Sequence, residues 1–211
     1  MSKIQEISKA IEFGKKKNVR NLVEEALAEG LSPIDILNQG MIDAMSLVGE
    51  KFKVGEIYVP EMLVAARAMK EGVEVLRPYL VTDYSDNAKT FIIGTVDGDL
   101  HDIGKNLVAM MIESAGYNVI DLGVDVKAEK FIEAIKANPE CKLIGLSCLL
   151  TTTMPHLKEA IEAITEAGLN TQVKIIVGGA PITQEYANRI GADAFAPDAA
   201  TAADIAKEIL A

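Results

Sequence analysis

Phe91-Ile92-Ile93-Gly94-Thr95-Val96, followed by Asp97-Gly98-Asp99-Leu100-His101-Asp102-Ile103-Gly104, is the stretch whose reading decides the fold. The first six residues form an apolar run of strand length with no polar alternation, as in a strand buried on both faces. Lys105-Asn106-Leu107-Val108-Ala109-Met110-Met111-Ile112 then reads as a helix packed on that strand. A βα turn of this kind lies at the carboxyl end of a parallel sheet, where open α/β folds bind their ligands. Asp99, His101 and Asp102 crowd into this turn between glycines that allow close approach to the backbone.

Toward the carboxyl terminus, strand and helix alternate. Strands are expected at Phe91–Val96, Tyr117–Leu122, Leu143–Leu149, Lys174–Val177 and Ala194–Ala196. Helices follow at about 102–115, 128–137, 154–167, 183–190 and 200–210. Five βα units imply a doubly wound, five-stranded parallel sheet covered on both faces. The flavodoxin-like order 2-1-3-4-5 puts the switch point between strands one and three. The strand ends at that rim then carry Asp99 with His101, Ser147 with Leu149, and Gly178-Gly179.

Toward the amino terminus the texture changes. Val81-Thr82-Asp83-Tyr84-Ser85-Asp86-Asn87-Ala88 is polar and aperiodic, and reads as a linker. Residues 1–80 carry only helical signals. Ile4, Ile7 and Ile11 share one helical face, and Asn18 is placed to cap a second helix. Ser32-Pro33 starts a third helix through Ile36, Leu37, Met41, Ala44, Met45 and Val48. Pro60-Glu61 opens a fourth. The expected organisation is a four-helix bundle over 1–80, a linker over 81–88 and an α/β domain over 89–211.

Bulk properties narrow the function. The chain has 211 residues, 49% hydrophobic and 25% charged, with a net charge of -10. No Lys/Arg run exceeds Lys15-Lys16-Lys17, so no electrostatic footprint for nucleic acid is present. No apolar run approaches the roughly 18 residues of a membrane span, and no secretory h-region follows Met1. Cys141 and Cys148 have no metal-ligand spacing and read as reduced thiols in or near the core. A cytoplasmic protein without nucleic-acid or membrane partners is expected.

The rim allows a limited chemistry. A carboxylate at Asp99 that accepts from His101 Nδ1–H would fix the tautomer and leave Nε2 free as a base or metal ligand. Ser147 is placed to extend that relay. Asp102 also fits a plain helix-start acid, and Gly178-Gly179 an ordinary turn. A serine hydrolase lacks its Gly-x-Ser-x-Gly elbow, a zinc site lacks donors, and no phosphate-binding glycine fingerprint is present.

Asp99-Leu-His101-Asp-Ile-Gly104, Ser147-Cys-Leu149 and Gly178-Gly179 together resemble the Asp-x-His-x-x-Gly, Ser-x-Leu and Gly-Gly signature of B12-binding domains. The helical segment, most clearly Gly55-Glu56-Ile57-Tyr58-Val59-Pro60-Glu61-Met62-Leu63, resembles the cap module of methionine synthase and of methyltransferase corrinoid proteins. The resemblance implies a cobalamin or related corrinoid, shuttling between its cob(I)alamin and methylcob(III)alamin forms, with His101 as the lower axial ligand of cobalt. It implies that Asp99 and then Ser147 back the imidazole. It places the displaced nucleotide tail near Asp102, Ile103, Gly104, Ser147, Leu149, Thr151, Gly178 and Gly179, and makes Tyr58 and Met62 cap contacts.

The implied role is a corrinoid shuttle. The methyl group would pass from a substrate-specific methyltransferase to a second methyltransferase serving a thiol or tetrahydrofolate, with a reductive activase as a third partner. Such a chain is not a complete enzyme alone, and a homodimer is left open. A B12-binding subunit of a radical mutase and a B12-dependent sensor module are the alternative readings.

Overall fold

The computed structural model describes residues 2–79 and 89–210. The expected linker, 81–88, lies outside the described residues. Packing divides the chain into two compact units, one built from the amino-terminal helices and one from nearly all of 89–210.

The helical unit contains α1 (Lys3–Glu12), α2 (Lys16–Ala28), α3 (Pro33–Asp35), α4 (Asp43–Lys53) and α5 (Val59–Leu76). Ser2 and Gln5 form a capping box at the start of α1, each side chain bonding the other residue's N–H. Gly14, left-handed at φ 63°, turns the chain from α1 into α2. That early restart places Asn18 inside the first turn of α2, and no side chain caps the helix. The capping role expected of Asn18 is therefore not the one it has. Ser32 does cap α3, its hydroxyl accepting from Asp35 N–H at 3.4 Å ahead of Pro33.

Between α3 and α4, Ile36–Ile42 winds as a π-helix, which the regular spacing of the third segment did not foreshadow. The wider turn puts Gly40 beneath Ile4 and Ile7 of α1, while Ile36, Leu37, Met41, Ala44, Met45 and Val48 stay buried. Lys51 pairs with Glu12, tying α4 to α1.

The second unit is a five-stranded sheet of β1 (Thr90–Thr95), β2 (Asn118–Asp121), β3 (Leu143–Ser147), β4 (Lys174–Gly178) and β5 (Ala194–Ala196). The order is β2-β1-β3-β4-β5 and every pairing is parallel. Its helices are α6 (Ile103–Ser114), α7 (Ala128–Ala137), α8 (Met154–Glu166), α9 (Gln184–Ile190) and α10 (Ala199–Leu210). Phe131, Ile135, Leu157, Ile161, Ile164 and Ile190 bring α7, α8 and α9 onto Ile92, Ile144, Leu146, Ile175 and Val177. Cys141 and Cys148 are free thiols buried in this same cluster. Burial pushes both thiols up, which favours their protonated form.

Register does more for the site than any one element. Thr95 of β1 is paired with Ser147 of β3, Ser147 with Gly178 of β4, and Gly178 with Ala196 of β5. Residues up to about a hundred positions apart thus form one transverse row along the carboxyl rim.

Close packing inside the sheet explains two glycines there. A Cβ on Gly94 would fall 2.8 Å from the ring of Phe131, and one on Gly145 would fall 2.6 Å from the ring of Phe91. Both rings are fully buried and cannot swing aside. Gly94→Ala is expected to lower unfolding stability by about 1–3 kcal/mol. Urea denaturation checks this, and a loss below about 0.5 kcal/mol would show that Phe131 has room to yield.

Candidate functional site

The connection from β1 to α6 crosses the end of the sheet at the β1/β3 switch point. It is fixed from both sides of His101. The Thr95 hydroxyl donates to His101 C=O at 2.9 Å, and Asp99 N–H donates to Val96 C=O at 3.1 Å. Asp99 itself is completely buried.

A buried carboxylate must be surrounded by donors. Asp99 Oδ1 accepts from His101 N–H at 3.0 Å and from the His101 ring Nδ1 at 2.8 Å. Asp99 Oδ2 accepts from Leu149 N–H at 2.7 Å, Leu150 N–H at 3.2 Å and the Thr153 hydroxyl at 3.0 Å. Thr153 Oγ1 also lies 3.0 Å from Leu150 C=O. Its single proton goes to the carboxylate, the stronger acceptor. Burial by itself would push the Asp99 carboxyl up. The bonds from Leu149 and His101 N–H, the His101 ring and Thr153 outweigh it, and hold the carboxyl at about 2.

With Nδ1–H committed to Asp99, His101 presents an Nε2 lone pair. Its side chain is half exposed, and Nε2 makes no hydrogen bond among the described residues. Leu100, Leu149 and Leu150 on the two connections, with Ile103 at the start of α6, expose apolar surface. One outward nitrogen beside exposed leucine and isoleucine leaves that nitrogen open to a ligand.

The relay differs from the sequence expectation in one member. The Ser147 hydroxyl is not among the donors to Asp99. Thr153 holds that place, at the N-cap position of α8. Ser147 ends β3, whereas the carboxylate reaches the connection beyond it. The signal in the sequence was Thr153-Met154-Pro155, a helix start with proline in the first turn. Thr153 makes no side-chain bond to its own helix and reaches across to Asp99 instead.

Lys105, 2% exposed, is a second residue that sequence reasoning missed. Its Nζ donates to Asp121 Oδ2 at 2.6 Å and Asn106 Oδ1 at 2.7 Å, joining the start of α6 to the end of β2. Asp102, at that helix start, accepts from the Asn106 amide at 3.1 Å and is exposed with Ile103 and Gly104.

The glycines of the motif fall into two kinds. Gly179 has φ 126°, and a Cβ there would fall 1.8 Å from Cys148 C=O; one on Gly178 would fall 2.9 Å from Ala196 C=O. These two are required by the approach of neighbouring strand ends. Gly104 meets nothing within 4 Å, so the chain itself sets no requirement for it. Thr151 is exposed on the β3–α8 connection. In the helical unit Tyr58 is 68% exposed, with its N–H bonded to Glu61, while Met62 is 1% exposed. Met62, expected as a ligand contact, therefore presents no surface in this arrangement.

Comparison with known proteins shows the family. Residues 89–206 match the family model described as B12 binding domain, and residues 3–77 match a second model of the same description. Dimethylamine corrinoid protein 1 of Methanosarcina acetivorans is 43% identical over 210 residues, covering 99% of this chain and 97% of that protein. The methanol:cobalamin methyltransferase complex of Methanosarcina barkeri superimposes with a TM-score of 0.85 at 31% identity, covering 99% of this chain and 79% of that one. A cobalamin-binding protein from Desulfitobacterium hafniense superimposes with a TM-score of 0.83 at 28% identity, covering 97% of each chain. The fold and site define a B12-binding protein. The chain belongs to the family of corrinoid proteins, and its cofactor is a corrinoid. Among the described residues no helix is long and apolar enough to cross a membrane.

The depressed acidity of Asp99 has a consequence for stability. Its folded value of about 2 lies below the roughly 3.9 of an unfolded aspartate, so its contribution is complete above that range and lost as pH falls toward 2. The contribution is about 2 kcal/mol. The stability advantage of wild type over Asp99→Asn is expected to shrink by about that amount between about pH 5 and pH 2. Urea denaturation at fixed pH checks it, and a gap that does not change with pH would contradict the assignment.

Proposed function

We propose that this chain is a methyl-carrying corrinoid shuttle in which His101 Nε2 is the lower axial ligand of cobalt. When bound, the corrinoid supplies the cobalt centre that accepts and gives up the methyl group. The observation that carries the reading is the buried Asp99 carboxylate holding His101 Nδ1–H at 2.8 Å, which leaves Nε2 as the outward donor.

The protein's own part is electrostatic and positional. Asp99 fixes the orientation of the ring it holds, and Thr153 with Leu149 and Leu150 N–H keeps Asp99 ionised. An imidazole held in this way would offer Nε2 to a metal while Nδ1–H stays on Asp99. Ser147, Leu149, Thr151 and Gly178-Gly179 would hold the nucleotide tail of the corrinoid, and Gly104 leaves open space at the start of α6. Tyr58 is the exposed candidate for a contact from the helical unit.

The relatives support methyl transfer over a mutase subunit or sensor, since they are named for dimethylamine and for a methanol:cobalamin methyltransferase complex over nearly the whole of this chain. The partners proposed are a substrate-specific methyltransferase, an acceptor methyltransferase serving a thiol or tetrahydrofolate, and a reductive activase, all in the cytoplasm.

Reconstitution with hydroxocobalamin tests the ligand. Wild type is expected to retain stoichiometric corrinoid with a base-off, histidine-on absorbance spectrum. His101→Ala should lose that spectrum, and Asp99→Asn should weaken retention on the order of 10-fold. An unchanged spectrum in His101→Ala would sink the axial-ligand role. Gly104→Ala separates ligand from fold. An alanine in the first turn of α6 should leave stability equal or raise it by up to about 1 kcal/mol, yet reduce corrinoid retention. Full retention in that variant would remove Gly104 from the binding surface.

A further inference from the structure

We propose that Asp125 is a positioning residue for His101, gripping the turn that carries the Asp99–His101 pair. The proposal rests on His101 as the lower ligand of cobalt, and concerns what sets the place of that imidazole.

Asp99 orients the ring, but the Asp99 carboxylate can be no better placed than the backbone from which it hangs. That backbone is held by the β2–α7 connection. Asp125 Oδ1 accepts from Gly98 N–H at 2.7 Å, and Asp125 N–H donates to Asp99 C=O at 3.0 Å. One residue therefore brackets Gly98-Asp99, accepting from the N–H of the first and donating to the C=O of the second.

The gripping segment is itself tied to β1. Thr95 N–H donates to Gly123 C=O at 3.0 Å, and Val126 N–H donates to Thr95 C=O at 2.9 Å. Val96 and Val126 form an isolated parallel bridge, and Gly123 N–H donates to Asp121 Oδ1 at 2.9 Å. Lys105 holds the other oxygen of Asp121 at 2.6 Å. The connection is thus a braced support under the His101 turn.

Asp125 is the only non-glycine residue with positive φ among the described residues, at 55°. Left-handed backbone disfavours most L residues, and aspartate and asparagine tolerate it best. Two demands therefore meet at this position: a left-handed backbone that turns the N–H toward Asp99, and a side-chain oxygen that reaches Gly98. Glycine meets the first alone. Asparagine meets both. Asp125 is exposed, and its bonds go to Gly98 N–H and Asp99 C=O, so it acts on the imidazole through the turn.

The two substitutions make the test. In the full-length, corrinoid-free protein, Asp125→Gly should speed hydrogen exchange of the Gly98 amide about tenfold. Asp125→Asn should stay near wild type, and the amides of β1 and β3 should remain protected in both, showing that the fold is intact. After loading of 15N-histidine-labelled protein with cobalamin and reduction to the cobalt(II) state, doublet nitrogen splitting in the electron paramagnetic resonance spectrum reads the imidazole on cobalt, as distinct from the triplet of the cofactor's own base. Asp125→Gly should show a smaller histidine-bound fraction at unchanged cobalamin retention, restored in Asp125→Asn. Wild-type Gly98 protection and a wild-type histidine-bound fraction in Asp125→Gly would overturn the proposal. Equal impairment of both variants would overturn it too, because the asparagine oxygen would then have failed to substitute. A wild-type protein without the 15N doublet would instead overturn the axial-ligand reading, while the exchange data would still decide whether Asp125 holds the turn.

Discussion

A carboxylate with no exposure to water is the constraint on which the α/β unit depends. Asp99 is held ionised only because His101, Leu149, Leu150 and Thr153 donate to it, and three of those residues come from about fifty positions further along the chain. Satisfying it requires the β1–α6 and β3–α8 connections to meet, which in turn requires β1 and β3 to be neighbours with Thr95 opposite Ser147. The cost of leaving such a group unpaired is several kcal/mol, large beside the net stability of a domain. What is left over after that satisfaction is one imidazole nitrogen facing outward. Fold stability and ligand presentation are therefore two results of the same set of hydrogen bonds.

The glycines show how a single residue type in one motif answers to two unlike demands. Gly178 and Gly179 lie where strand ends come within van der Waals contact of a neighbouring carbonyl, and a methyl group has no place there. Gly104 stands in open space at the start of α6, where alanine would suit a helix better. The first pair answers to the sheet, whereas nothing in the chain itself requires the second. The same distinction separates Lys105 from Ile103: the lysine is buried and ion-paired to Asp121, while the isoleucine is spread on the surface.

In the helical unit, apolar periodicity located the helices and their buried faces, because burial of one stripe is a local pattern with a fixed period. Details of winding and capping were less accessible. The π segment at Ile36–Ile42 and the restart after Gly14 follow from how α1 packs on its neighbours, not from residues within the segments themselves. Asn18 has good capping chemistry and is one turn too late to use it.

For the α/β unit, the alternation of buried strand and amphipathic helix was enough to place five parallel strands in the order that the structure shows. The pairing of Asp99 with His101 was equally legible, since two residues on one short loop meet whatever the rest of the chain does. The third partner was not. Ser147 and Thr153 are both hydroxyl residues near the end of β3, and only the path of the chain beyond the strand brings Thr153 to the carboxylate. Asp125 and Lys105 were hidden for the same reason. The sequence by itself determined the strands, the helices, the rim and the outward imidazole, because each rests on local pattern or on neighbours two residues apart. The tertiary structure alone decided which distant hydroxyl, amide and carboxylate hold that imidazole still, because a hydrogen bond is settled within tenths of an ångström and spacing along the chain does not carry that distance.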